Sequence, residues 1–157
     1  MSGRTKSNIL MSCLFLVVLI SDQLTKWLVV SNLDVGDFFR VTSFFNIVRV
    51  HNNGITFGMF KEIAQPLILA MISITVVISL VVYAKQNKPF RYPIIAIIAG
   101  AIGNIIDRFC YRSVVDFLDF HINQHHWPAF NIADSAIVIG VCCLIFISYT
   151  NEEGKNA

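Results

Sequence analysis

The sequence predicts an all-α integral membrane protein with four transmembrane helices and a short strand-like element on one side of the bilayer. Three observations carry this prediction. Of 157 residues, 55% are apolar and 14% charged, and mean hydropathy is +0.66, which excludes a disordered chain and an ordinary soluble domain. Apolar runs recur four times, each near the ~20 residues that cross a hydrocarbon core about 30 Å thick. The acids that interrupt them gather towards one membrane face. The length suits one domain, residues 1–157. A net charge of +2 points to no nucleic-acid partner.

The first helix is expected over about 9–30. Its apolar stretch, Ile9 to Ile20, is short, and it reaches spanning length only by continuing through Asp22 and Lys26 to Trp27 and Val30. Arg4 and Lys6 precede it as in a secretion signal, yet no small-residue cleavage site follows, so the segment is read as a retained helix. Next, the residues from Val41 to Val50, rich in β-branched and aromatic types and flanked by Gly36 and Gly54, predict a strand or hairpin on the membrane surface. The second helix, 63–84, contains no charge; the third covers 92–109; the fourth, 132–149, holds a single acid, Asp134. Cys13, Cys110, Cys142 and Cys143 lie in or beside apolar runs without metal-binding spacing and are read as packing residues.

Orientation rests on the density of basic residues. Arg4, Lys6, Lys85, Lys88, Arg91 and Lys155 occupy three short pieces, whereas Lys26, Arg40, Arg49, Lys61, Arg108 and Arg112 are spread over longer stretches. The denser side is expected to be cytoplasmic, with both termini inside.

An ionisable group in a membrane helix costs on the order of 2.5–3.5 kcal/mol on insertion scales, so Asp22, Asp107, Asp116 and Asp134 each call for a reason. Asp22 and Lys26 stand one helical turn apart and form an anchoring ion pair. Gly100, Gly103, Asn104, Asp107 and Arg108 share a broad helix face that combines close approach with an amide and an ion pair. Asn131 can cap the fourth helix, leaving Asp134 in the first turn where acids favour the helix dipole. Asp116 lies within Val114-Val115-Asp116-Phe117-Leu118, with no base beside it. The seventeen residues between Asp116 and Asp134 suffice for an outer hairpin that returns both acids to one depth. Two adjacent, partly desolvated carboxyls do not readily both ionise; one keeps a proton while the other is charged, the arrangement an aspartic protease uses to activate water.

The chain resembles the lipoprotein signal peptidases, also called signal peptidase II, of bacterial inner membranes. The resemblance rests on Asp22-Gln23-x-x-Lys26, Asn52-x-Gly54-x-x-Phe57-Gly58, Gly100-x-x-Gly103-Asn104-x-x-Asp107-Arg108, Val114-Val115-Asp116-Phe117 and Trp127-Pro128-x-Phe130-Asn131-x-Ala133-Asp134, in that order. It implies that Asp116 and Asp134 are the catalytic pair. It places Asp22, Lys26, Asn52, Gly54, Asn104, Asp107, Arg108, Asn131 and Ala133 around them as substrate-binding or supporting residues. It further implies a small extracytoplasmic β-like cradle with a short outer helix, no cofactor or metal, and a monomer. The substrates would be diacylglyceryl-modified prolipoproteins, cut just before the modified cysteine at the periplasmic face, and the inhibitor the cyclic peptide globomycin.

Three departures from the family pattern stand out. Gly54-Ile55-Thr56-Phe57 replaces a Gly-Ala-Ala-Phe, Ala99-Gly100 replaces a double glycine, and Arg112 replaces a glycine four residues before Asp116. If that glycine serves a positive φ, the turn is expected to differ here.

Two other functions compete. A proton relay through Asp22, Asp107 and Asp134 would distribute acids across the bilayer, whereas these collect at one face. A zinc site would draw on His121, His125, His126, Asp119 and His51, but no HExxH accompanies them. An inert scaffold explains the hydrophobicity and leaves the acid pair without a reason.

Overall fold

A computed structural model describes residues 2–54 and 64–156. The departures at Ile55 and Thr56, the Phe57-Gly58 half of its motif and the expected helix start at Ile63 lie outside the described residues. In chain order the elements are α1 (Gly3–Asn32), β1 (Phe38–Arg40), β2 (Phe45–Asn52), α2 (Ala64–Gln86), a 3-10 turn (Lys88–Phe90), α3 (Arg91–Tyr111), β3 (Val114–Ile122), β4 (His125–His126) and α4 (Ile132–Asn156). All four α-helices contain stretches long and apolar enough to cross a membrane. Each observed helix outruns its apolar run at one end or both. Polar termini satisfy their backbone within the helix just as apolar ones do, so hydropathy marks the membrane-crossing part and not the helix end.

The helices are patterned the reverse of a soluble bundle. Leu16, Val17, Met71, Ile78, Ile139 and Phe146 are exposed, while Asp22, Lys26, Asn104, Asp107 and Asn131 are buried. The central helix is α3, which packs against α1, α2 and α4. Its glycines permit that closeness: a methyl group at Gly100 would collide with the Ala133 carbonyl oxygen of α4, and one at Gly103 would lie 2.5 Å from Asp22 Oδ2 of α1. The four cysteines depart from expectation. They are free and exposed, outside the packed interior, because the inner faces of these helices are taken by small and polar residues.

The strands form one antiparallel sheet in the order β1-β2-β3-β4. The strand or hairpin expected between Gly36 and Gly54 is the β1–β2 pair, and the β3–β4 hairpin lies where an outer hairpin is expected between Asp116 and Asp134. Among the described residues the only short helical element is the 3-10 turn before α3. A bulge interrupts the β2–β3 register between Ile47 and Val50, and the side chain of the bulged Arg49 donates to the carbonyls of Val30 at 3.2 Å and Leu33 at 2.8 Å. Arg49 therefore fills the open carbonyls at the end of α1 and fastens the sheet to it. Val115 and Phe117 of β3 pack with Val29 of α1 in a buried cluster bordered by Ile47 and Ile132. That contact turns one end of β3 towards the helix ends.

Between α3 and β3 the chain turns through Arg112, whose φ of 59° lies in the left-handed region. Arginine itself adopts here the conformation that glycine takes freely. An L-residue in this region carries a penalty of roughly 1–2 kcal/mol, partly offset by the extra freedom glycine would have when unfolded. Arg112→Gly is therefore expected to raise stability by up to about 1 kcal/mol, read as a higher midpoint of thermal unfolding in detergent.

Candidate active site

Four elements meet at the site: the last turns of α1 and α3, the start of β3 and the first turn of α4. Lys26 is the hub. Its ammonium lies 2.8 Å from Asp22 Oδ2 and 2.8 Å from Asp107 Oδ2, and it donates to Asn104 Oδ1 at 3.0 Å. All three of its protons have acceptors, as a buried ammonium requires. Asp22 and Asp107 use their remaining capacity on backbone, Asp22 Oδ1 accepting from Ala133 N at 2.8 Å and Asp107 Oδ2 from Val115 N at 3.1 Å. Each acid of the ion triad thus anchors the segment carrying one of the two proposed catalytic acids.

The expected pairing of Asp107 with Arg108 does not occur. Adjacent residues on a helix point about 100° apart and do not face each other. Asp107 turns inward to Lys26, while Arg108 is half-buried and donates to the Asn104 carbonyl at 3.1 Å. Its guanidinium stays within electrostatic reach of Asp134, Asp107 and Asp116.

Asp116 is 2% exposed. Its Oδ1 accepts from Asn131 Nδ2 at 2.7 Å and its Oδ2 from Asn52 Nδ2 at 2.9 Å. Burial pushes the Asp116 carboxyl up to about 6, assisted by the charge of Asp134 and opposed by the Asn52 and Asn131 hydrogen bonds and by Lys26. Asp134 accepts from Asn104 Nδ2 at 2.8 Å. It also completes a capping box, in which Asp134 N donates to Asn131 Oδ1 at 2.8 Å and Asn131 N to Asp134 Oδ2 at 3.3 Å. Helix capping and site formation are one geometry here. Gly54, at a φ of 93°, donates its N–H to Asn52 Oδ1 at 2.8 Å.

All eleven residues singled out from the sequence fall in or beside this network. One important member had been quoted only as part of a motif. Gln23 Nε2 reaches Asp22 Oδ2 at 3.1 Å, the Gly103 carbonyl at 3.2 Å and Asp107 Oδ1 at 3.2 Å, and its place beside Asp22 in an otherwise apolar run was the available signal.

A second polar cluster lies on the sheet. Asp119 accepts from Asn46 at 2.8 Å and pairs with His126 at 2.8 Å. Burial raises its carboxyl, but the His126 and Asn46 hydrogen bonds outweigh that effect and hold it below the usual value. The His121 and His126 rings stack 4.8 Å apart, while His51 is engaged with Ser113 at 2.6 Å. Among the described residues no three His, Cys, Asp or Glu side chains are arranged to hold a metal ion. An open groove of about 770 Å³ borders this cluster, lined among others by Phe38, Val48, Asp119 and Trp127, and not by Asp116 or Asp134.

Four membrane-length helices gathered around a buried acid–amide network define a multi-pass membrane protein with the makings of an enzyme site. A family model described as signal peptidase (SPase) II matches residues 14–150. The lipoprotein signal peptidase of Thermodesulfovibrio yellowstonii is 41% identical over 134 residues, covering 85% of this chain and 89% of that protein. That of Paraburkholderia phytofirmans is 42% identical over 145 residues, covering 89% and 84%. Two solved structures, each of a bacterial membrane enzyme, share the fold. One has a TM-score of 0.80 at 34% identity over 92% of this chain and 90% of its own; the other has 0.78 at 35% identity over 87% and 90%. The chain belongs to the signal peptidase II family and is a membrane peptidase.

Because Gly103 admits Asp22 so closely, Gly103→Ala is expected to push the Asp22 carboxylate away from Lys26 and Ala133. A loss of about 1–3 kcal/mol, typical of overpacking, would show as a lower unfolding midpoint in detergent, whereas an unchanged midpoint would mean that the two helices separate freely.

Proposed function

We propose that this protein is an aspartic endopeptidase that removes the signal peptide of prolipoproteins immediately before the diacylglyceryl-modified cysteine, with Asp116 and Asp134 activating water. The observation that carries this reading is the convergence of these two carboxyls, one from a strand and one from a helix cap, on a shared set of asparagine amides. The same convergence favours a hydrolytic site over a proton relay, since all four acids collect at one end of the helices.

The pair holds one proton. Asp116, buried and with its carboxyl pushed up to about 6, is the member that keeps it, and its partner Asp134, as the charged member, takes a proton from water while the water oxygen adds to the scissile carbonyl. Neutral Asp116 gives its proton to that carbonyl oxygen, so charge does not build up on it. Collapse of the tetrahedral intermediate returns a proton to the leaving amine, breaks the C–N bond and leaves a carboxylic acid. Asp22, Lys26, Asn52, Gly54, Asn104, Asp107, Arg108, Asn131 and Ala133 hold this geometry or the substrate backbone beside it. The substrate's own lipid delivers its scissile bond to a site at the bilayer surface. The basic-residue density supports a chain in the bacterial inner membrane with both termini cytoplasmic and the site at the periplasmic face. Globomycin is expected to inhibit it, and a monomer is expected.

Asp116→Asn and Asp134→Asn are each expected to insert normally and lose at least about a thousandfold in cleavage rate, since an amide cannot take the proton. Release of signal peptide from a diacylglyceryl-modified prolipoprotein by the purified variants in liposomes measures this, and near-normal cleavage by either would overturn the assignment. The pH dependence has a definite sign. With Asp116 required in its neutral form and its carboxyl pushed up to about 6, kcat/KM is expected to fall as pH increases from 5 to 7. A rate that rises across that interval would give Asp116 the opposite role.

A further inference from the structure

We propose that Lys26 is a positioning residue for the acid pair, acting through the side-chain amide of Asn104, and that it confines the shared proton to the substrate side. This rests on the Asp116/Asp134 reading above and adds to it how the proton is kept in place.

An asparagine amide has nearly the same shape in either of two orientations, so its partners decide which end faces which way. Asn104 Oδ1 faces Lys26 Nζ at 3.0 Å and Asn131 Nδ2 at 3.2 Å. An ammonium only donates, so the carbonyl end of Asn104 must face it. The N–H₂ end is then directed at Asp134 Oδ1, at 2.8 Å. Two other amides are keyed in the same manner. Asp134 N holds the carbonyl of Asn131 and so turns its N–H₂ to Asp116, and Gly54 N holds that of Asn52 with the same result on the other oxygen. Those two keys are backbone N–H groups. The third is a side chain, Lys26, itself fixed between Asp22 and Asp107.

The consequence concerns the proton. Each of the four oxygens of the pair accepts an N–H from the protein, the fourth being Asp134 Oδ2 from Asn131 N at 3.3 Å. The lone pairs that face the protein are filled by donors, so the shared proton is left to those that face water and the scissile carbonyl. If Asn104 turned over, its carbonyl oxygen would confront Asp134 Oδ1. The proton would then settle between the two oxygens, hydrogen-bonded to Asn104 and withdrawn from the reaction.

Asn104→Asp tests this directly. The new carboxylate keeps both acceptor contacts, to Lys26 and to Asn131, and sets an acceptor oxygen where the donor had faced Asp134 Oδ1, as the overturned amide would. It is expected to remain folded, with KM within about twofold and kcat lower by about a hundredfold or more, the scale of losing one oriented donor. A second variant separates aiming from charge balance. In Lys26→Met combined with Asp22→Asn and Asp107→Asn, no buried charge is left unpaired and the amides retain acceptors for Ala133 N and Val115 N. Its thermal stability is expected to exceed that of Lys26→Met alone while kcat stays low.

Wild-type kcat in Asn104→Asp overturns the proposal, and so does full recovery of kcat in the triple variant, which would mean that Lys26 only neutralises its two acids. Should the triple variant fail to fold, Asn104→Asp decides alone. Asp116→Asn and Asp134→Asn run in the same assay: cleavage by either overturns the underlying acid-pair reading, whereas inactivity of both beside an active Asn104→Asp overturns only the present inference.

Discussion

One buried ammonium organises this molecule. Lys26 projects from α1 into a space where water is excluded and lies 2.8 Å from an acid of its own helix and 2.8 Å from an acid of α3. A charge in such a place is tolerated only with full pairing, and removing one partner of a buried set costs about 3–5 kcal/mol. The pairing therefore fixes the axial register of α1 on α3. Asp22 carries the constraint onward by accepting the Ala133 N–H, which sets the height at which α4 begins, and Asp107 carries it to β3 through Val115 N. Acid, base and two backbone N–H groups thus align four segments on one level.

The rest of the fold follows from making room for that network. Apolar side chains gain nothing by facing inward in a bilayer, since lipid is as apolar as they are, and helix association rests on close packing and polar contacts. Gly100 and Gly103 on α3 supply the closeness: without side chains they let the Ala133 carbonyl and the Asp22 carboxylate approach the α3 backbone. The sheet is subordinate to the same requirement. Arg49 fastens it to the last carbonyls of α1, and the Val115–Phe117–Val29 contact orients β3 so that Asp116, between those two apolar residues, meets Asn131.

Much of this was legible in the sequence where one short-range rule sufficed. Four apolar runs gave four helices, the four-residue spacing of Asp22 and Lys26 gave their ion pair, and Asn131 followed three positions later by Asp134 gave the helix cap. What stayed hidden depended on contacts between elements. Asp107 was assigned to its neighbour Arg108 because its true partner lies on another helix. Gln23 looked like a neighbour of an acid, yet it bridges both acids of the triad. Arg112 takes its turn with a φ of 59°, a strain that only backbone geometry can reveal. The cysteines, read as packing residues from their apolar surroundings, are exposed, because an apolar run in a membrane helix does not say which face turns inward. The site residues were found more completely than their partners because polar groups in a membrane chain are few, and each one demands a reason.

The two proposed acids sit on elements of different kind, and that difference has a chemical use. Asp134 is fixed by the cap at the first turn of α4 and by the Asn104 amide of α3. Asp116 is fixed on a strand paired with β2, through Asn52 and its link to Gly54 N. A peptide chain reaching the pair along the sheet would therefore bear on Asp116 and its amides while leaving the position of Asp134 set by the helices. The acid expected to hold the proton for the scissile carbonyl is thus the one joined to the sheet, and its partner is the one joined to the helical frame. Bringing the scissile carbonyl between them aligns two groups on one bond, carried by different elements and joined through Asn131, a positional requirement that a lipid-tethered substrate at the bilayer edge is well suited to meet.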